Sequence, residues 1–116
     1  MVKLLKQNSE VEYSQTDVLT IDSDWINRIK HLAKSKESNK YRTCIHFSDT
    51  DNVHEMLIAA TPKTYIRPHK HRVNGESLQF IEGEATAIIF NDDGTIKKAF
   101  KVGGPSSNYP FYYSMA

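Results

Sequence analysis

Pro68-His69-Lys70-His71-Arg72-Val73-Asn74-Gly75-Glu76 runs on through Ser77-Leu78-Gln79-Phe80-Ile81 to Glu82-Gly83, and these sixteen residues carry the most chemical information in the chain. Two histidines one residue apart act together only on a common face. A β-strand places them there and turns Lys70 away. A short polar turn, Arg72 to Gly75, then folds the Glu76 carboxylate back beside the imidazoles. His69, His71 and Glu76 make a mixed nitrogen and oxygen ligand set suited to Zn, Fe, Ni, Mn or Cu, with coordination positions left for water or substrate. The blander reading of the same pair is two exposed histidines on a solvated edge.

Working outward, strand-like segments flank this run. Thr64 to His69 precedes it, Glu76 to Ile81 lies within it, and Glu82-Gly83-Glu84 reads as a tight turn into Ala85 to Phe90. Tyr41 to Phe47, Val53 to Ala60, Thr95 to Val102 and Phe111 to Ser114 have the same character. Asp49-Thr50-Asp51-Asn52 and Asn91-Asp92-Asp93-Gly94 are turn signals, the second a hairpin. One helix is expected over 22–35, because Trp25, Ile26, Ile29, Leu32 and Ala33 fall on one face and Asp22 or Ser23 can cap it. A short strand or arm at Val2 to Leu5 and a polar stretch through Gln15 come first. Many short strands with one helix predict a mainly β barrel or sandwich.

The spacing H-x-H-x4-E-x6-G resembles the first motif of the cupin superfamily. Around it, Arg42-Thr43-Cys44-Ile45-His46, His54-Glu55-Met56-Leu57-Ile58, Tyr65-Ile66-Arg67-Pro68-His69-Lys70-His71, Glu76-Ser77 and Phe90-Asn91-Asp92-Asp93-Gly94 are similar to the WbuC-type cupin metalloproteins, across roughly residues 17 to 101. These are small bacterial proteins often encoded among genes for O-antigen and other surface polysaccharides. The resemblance implies a double-stranded β-helix (jelly-roll) barrel, a divalent metal and a poorly defined reaction. Two positions depart from the pattern. Lys63 stands where the first motif opens with glycine, so Thr61-Pro62 must build the entry turn. The second motif, G-x5-P-x-G-x2-H, has no counterpart after Gly103-Gly104-Pro105, and no histidine follows His71. Three explanations stay open: a chain shortened before the second motif, which is the preferred one; three ligands completed by water; or another histidine, with His46 the best candidate.

Strand alternation also nominates neighbours of the metal. If His69 faces inward, Arg67 and Tyr65 follow, and Arg67 can meet a carboxylate or phosphate with its planar fork. A structural salt bridge is an equal alternative for Arg67. Arg42, Cys44 and His46 share a face of their own strand, either as a substrate-binding wall or as a buried polar set. His46, or Glu76 if displaced from the metal, can move a proton. His31 and His54 read as surface residues and Cys44 as a small buried one.

Composition sets bounds around this. At 116 residues the chain is expected to form a single domain. Hydrophobic content of 39% and charged content of 25% are those of a globular protein. Fifteen basic and fourteen acidic residues leave a formal charge of +1, with no general drive toward nucleic acid or anionic membranes. One cysteine excludes an internal disulfide and fits a reducing compartment, so a cytoplasmic protein is expected. No run of about eighteen apolar residues occurs, and the N-terminus lacks the apolar core of a signal peptide. The functional expectation is a metal-dependent cupin enzyme acting on a sugar or nucleotide-sugar, of the isomerase or epimerase kind, with a non-catalytic carbohydrate-binding or sensing module as the alternative. A homodimer is expected, since an uncovered sheet edge needs a partner.

Overall fold

The computed structural model describes residues 2–69 and 75–116. It is mainly β with one helix: β1 (Leu4–Lys6), β2 (Val11–Ser14), α1 (Ser23–Ser35), β3 (Lys40–Cys44), β4 (Met56–Ala60), β5 (Glu76–Gln79), β6 (Glu84–Phe90), β7 (Ile96–Gly103) and β8 (Tyr112–Met115). Among the described residues these strands hydrogen-bond into one four-stranded sheet and two two-stranded ribbons, with no closed barrel. Among the described residues no helix is long and apolar enough to cross a membrane. The chain groups into two compact units, Met1–Arg67 and Pro68–Ala116.

In the first unit the sheet order is β1-β2-β3-β4, with β2 parallel to β3 and the other pairs antiparallel. A parallel pair needs a crossover, and α1 supplies it. The helix starts where the Asp22 side chain accepts the Trp25 backbone N–H at 3.0 Å, and the apolar face expected from its 3.6-residue period is the one that packs. Ile29 and Ala33 are buried against Tyr41 and Ala59, with Trp25, Leu32 and Leu57 around them. On the opposite face of the sheet Val11, Tyr13 and Cys44 form a second, smaller cluster.

Two expectations are corrected here. The polar stretch after residue 5 contains β2, all four of whose residues are buried. Its alternation puts Val11 and Tyr13 on one face and Glu12 and Ser14 on the other, so a strand with a buried acid passed for a loop. Thr64 to His69 is not a strand. Thr64 closes a turn instead: its backbone N–H donates to the Thr61 carbonyl, and its Oγ1 donates to the Asn39 carbonyl at 2.6 Å and accepts the Thr61 N–H at 3.0 Å. Pro68 removes a backbone donor from the same segment, which disfavours a ladder.

Among its described residues the second unit has two antiparallel ribbons, β5–β8 and β6–β7. The β6–β7 hairpin turns at Asn91-Asp92-Asp93-Gly94 as expected, with Gly94 at φ 89° and the Asn91 N–H donating to the Thr95 carbonyl at 2.7 Å.

Candidate functional site

Glu76 opens β5 and pairs with Met115 of β8, while Leu78 pairs with Tyr113. By alternation Glu76, Leu78, Tyr113 and Met115 share one half-buried face, and Ser77, Gln79, Tyr112 and Ser114 share the exposed one. Burial, and then the Glu76 charge, push the Tyr113 phenol above its ordinary value. Gly75 sets the entry to this strand. A Cβ there would lie 2.6 Å from the Met115 carbonyl oxygen, so only glycine lets the two backbones approach. Seven residues after Glu76, Gly83 holds φ 83° in the turn between β5 and β6, a conformation that glycine adopts without strain.

The other expected ligands are placed less fully. His69 is exposed in a coil of the second unit and is engaged in an interaction of its own. His71 lies outside the described residues, as does most of the Arg72 to Gly75 turn. Among the described residues no three His, Cys, Asp or Glu side chains gather into a group able to hold a metal. The donor set itself, two imidazoles and a carboxylate, fits a borderline divalent ion. Tyr65 and Arg67 belong to the first unit, in coil; Tyr65 is 77% exposed. With no strand there, the alternation that aligned them with His69 does not operate.

Arg42, Cys44 and His46 also lie in the first unit, with Arg42 and Cys44 on the sheet face turned away from α1. Burial raises the Cys44 thiol, which keeps it protonated and unreactive, as expected of a small core residue. The Arg42 Nε is buried and has no hydrogen-bond partner among the described residues. His46 is buried, and its Nδ1 is held by the Glu55 backbone, 3.1 Å from the N–H, from which it accepts in one tautomer, and 3.0 Å from the carbonyl oxygen, to which it donates in the other. The ring meets Tyr13 edge-on at 5.4 Å and stacks on His54 at 4.2 Å with 12° between planes. Two rings stacked in parallel at that distance cannot both direct in-plane lone pairs at one cation. His54 is exposed, as read, but has this stacking role as well.

The polar cluster that sequence reading missed is centred on Glu12, 1% exposed. Its carboxylate takes both terminal nitrogens of Arg28, the Tyr41 hydroxyl and the Thr43 hydroxyl. Thr43 Oγ1 in turn accepts the Trp25 indole N–H at 3.1 Å, and the Arg28 guanidinium lies 5.0 Å from the Trp25 ring centre. The only local signal was an acid flanked by Val11 and Tyr13, since its partners stand 16 to 31 residues away.

The molecule these features define is a mainly β protein with a helix-covered sheet and two ribbons. It belongs to the DUF6016 family, a domain of unknown function whose model matches residues 21–102. No curated protein matches the chain, and no solved structure does.

Proposed function

We propose that the chain is a metal-binding cupin acting on a sugar or nucleotide-sugar in bacterial surface-polysaccharide synthesis. The observation that carries this reading is the H-x-H-x4-E-x6-G run, in which Glu76 is half-buried at the start of β5 and Gly83 occupies the left-handed turn that closes the motif. His69, His71 and Glu76 would hold the ion. A bound divalent metal supplies Lewis-acid polarisation or an acidified water. Arg42, a residue of the first unit whose buried Nε–H has no acceptor among the described residues, suits an anionic group. His46 presents Nε2 for proton transfer, because Nδ1 is engaged by Glu55. The double-stranded β-helix, the cytoplasmic location and the homodimer belong to the same proposal.

Elemental analysis of tag-free protein tests it. One divalent ion per chain is expected, falling severalfold in His69→Ala and Glu76→Gln. Protein that holds no stoichiometric ion under any loading condition would overturn it. Turnover of a nucleotide-sugar by the loaded protein separates an enzyme from a carbohydrate-binding module, which would show saturable binding alone.

A further inference from the structure

The second unit carries an open groove of about 390 Å³ lined by Lys97, Lys98 and Phe100 of β7 and by Pro110, Tyr112 and Tyr113 in and before β8. Phe100 and Tyr113 meet edge to face at 5.2 Å, joining the two ribbons beneath it. The Lys98 ammonium lies 5.4 Å from the Phe100 ring centre, and Tyr112 is 53% exposed.

A regular strand would send Lys97 and Lys98 to opposite faces. The pairing is irregular here: Ile89 faces Lys98, and the next residue, Phe90, faces Ile96, so Lys97 is an extra residue in β7. Such a bulge re-aims a side chain. Both lysines accordingly line the groove.

The rings give the groove an apolar wall and the two exposed lysines give it a positive rim, so a ligand with both an apolar face and a negative charge engages both. A pyranose bearing phosphate satisfies both, its C–H face on the rings and its phosphate on the lysines. The volume suits one such unit, near the lower end of ordinary small-molecule sites.

We propose that this groove binds a sugar phosphate, with Lys97 and Lys98 taking the phosphate and the aromatic wall the sugar. The proposal rests on the carbohydrate part of the function given above and not on the metal.

Calorimetric titration of the full chain with glucose 1-phosphate, glucose and inorganic phosphate, before and after metal stripping, tests it. Saturable binding of glucose 1-phosphate is expected in both states, with glucose or phosphate alone at least tenfold weaker. Affinity should fall at least tenfold in the Lys97→Gln/Lys98→Gln double variant and in Tyr112→Ala. Lys101→Gln, a control on the opposite face of β7, should leave it unchanged. Thermal unfolding of each variant verifies folding. The proposal fails if no saturable binding occurs, if phosphate alone binds as tightly, if Lys101→Gln weakens binding equally, or if a single-stranded oligonucleotide displaces the sugar phosphate. Binding that persists in protein unable to take up an ion removes the metal reading and keeps the groove. An ion-loaded protein indifferent to glucose 1-phosphate does the reverse.

Discussion

Glu12 on β2 and Arg28 on α1 form a two-pronged ion pair in which the carboxylate is 1% exposed and the guanidinium side chain 39% exposed. The acid is therefore dry on one side and reaches solvent only through its partner. Its remaining lone pairs are taken by Tyr41 and Thr43, so the charge sits in a fully bonded environment. This cluster ties the crossover helix to two adjacent strands.

Removing one partner leaves the rest buried without compensation. Glu12→Ala should destabilise the protein by about 3–5 kcal/mol, because the Tyr41 and Thr43 hydroxyls and the Arg28 charge all lose their acceptor. Arg28→Ala should cost comparably, since it strands the carboxylate. Urea unfolding monitored by Trp25 fluorescence measures both, and an effect below about 1 kcal/mol would show that the cluster is dispensable.

Acid and alkali should each weaken this unit. Burial pushes the Glu12 carboxyl up, but the hydrogen bonds from Arg28, Tyr41 and Thr43 outweigh it and hold the group below its ordinary value. A depressed folded value contributes stability that is present above the unfolded carboxyl range and is lost as pH falls through the folded one. Burial and the Glu12 contact push the Tyr41 phenol up to about 12. That contribution is complete below the ordinary tyrosine value of 10.0 and disappears as pH rises toward about 12. Unfolding midpoints should be flat in the neutral range and fall at both ends, and Glu12→Gln should remove the acid limb.

Legibility in the sequence followed the range of the interactions. Helix α1 was readable because its cap and apolar stripe are local, and the turns at Gly83 and Gly94 because their residues dictate backbone geometry. Strand β2 was not, since Glu12 and Ser14 look like surface residues until Arg28, Tyr41 and Thr43 are brought to them. Thr64 to His69 misled in the other direction. Tyr65 and Ile66 have strand character, but the Thr64 side chain bonds the Thr61 and Asn39 backbone and Pro68 withholds a donor. Glu76 was placed correctly at a strand start, and the aromatic and lysine wall of the groove went unseen because a bulge, not alternation, assembles it.

Gly75 tests how Glu76 is held. In Gly75→Ala the new methyl meets the Met115 carbonyl, so β8 must shift or the β5 entry must open, at about 1–3 kcal/mol. A lowered melting temperature and weaker amide protection in Tyr112–Met115 by hydrogen exchange are expected. An unchanged exchange pattern would mean that the two backbones part freely.

Asp22 offers a smaller perturbation on the other unit. Asp22→Ala removes the acceptor for the Trp25 N–H and should cost about 1 kcal/mol, whereas Asp22→Asn should be nearly neutral. Thermal denaturation of the pair distinguishes capping from any general effect of charge.

The parallel pairing of β2 with β3 has a practical corollary for anyone trimming this chain. A segment cut to the family boundaries, 21–102, would keep Arg28, Tyr41 and Thr43 while discarding their shared acid, and would bare the β3 backbone along the side where Val11, Glu12 and Tyr13 once lay. At the other end it would strip β5 of its ladder partner β8. Expression of that minimal stretch should yield aggregated material, because β1 and β2 are integral strands of the sheet that the cut removes.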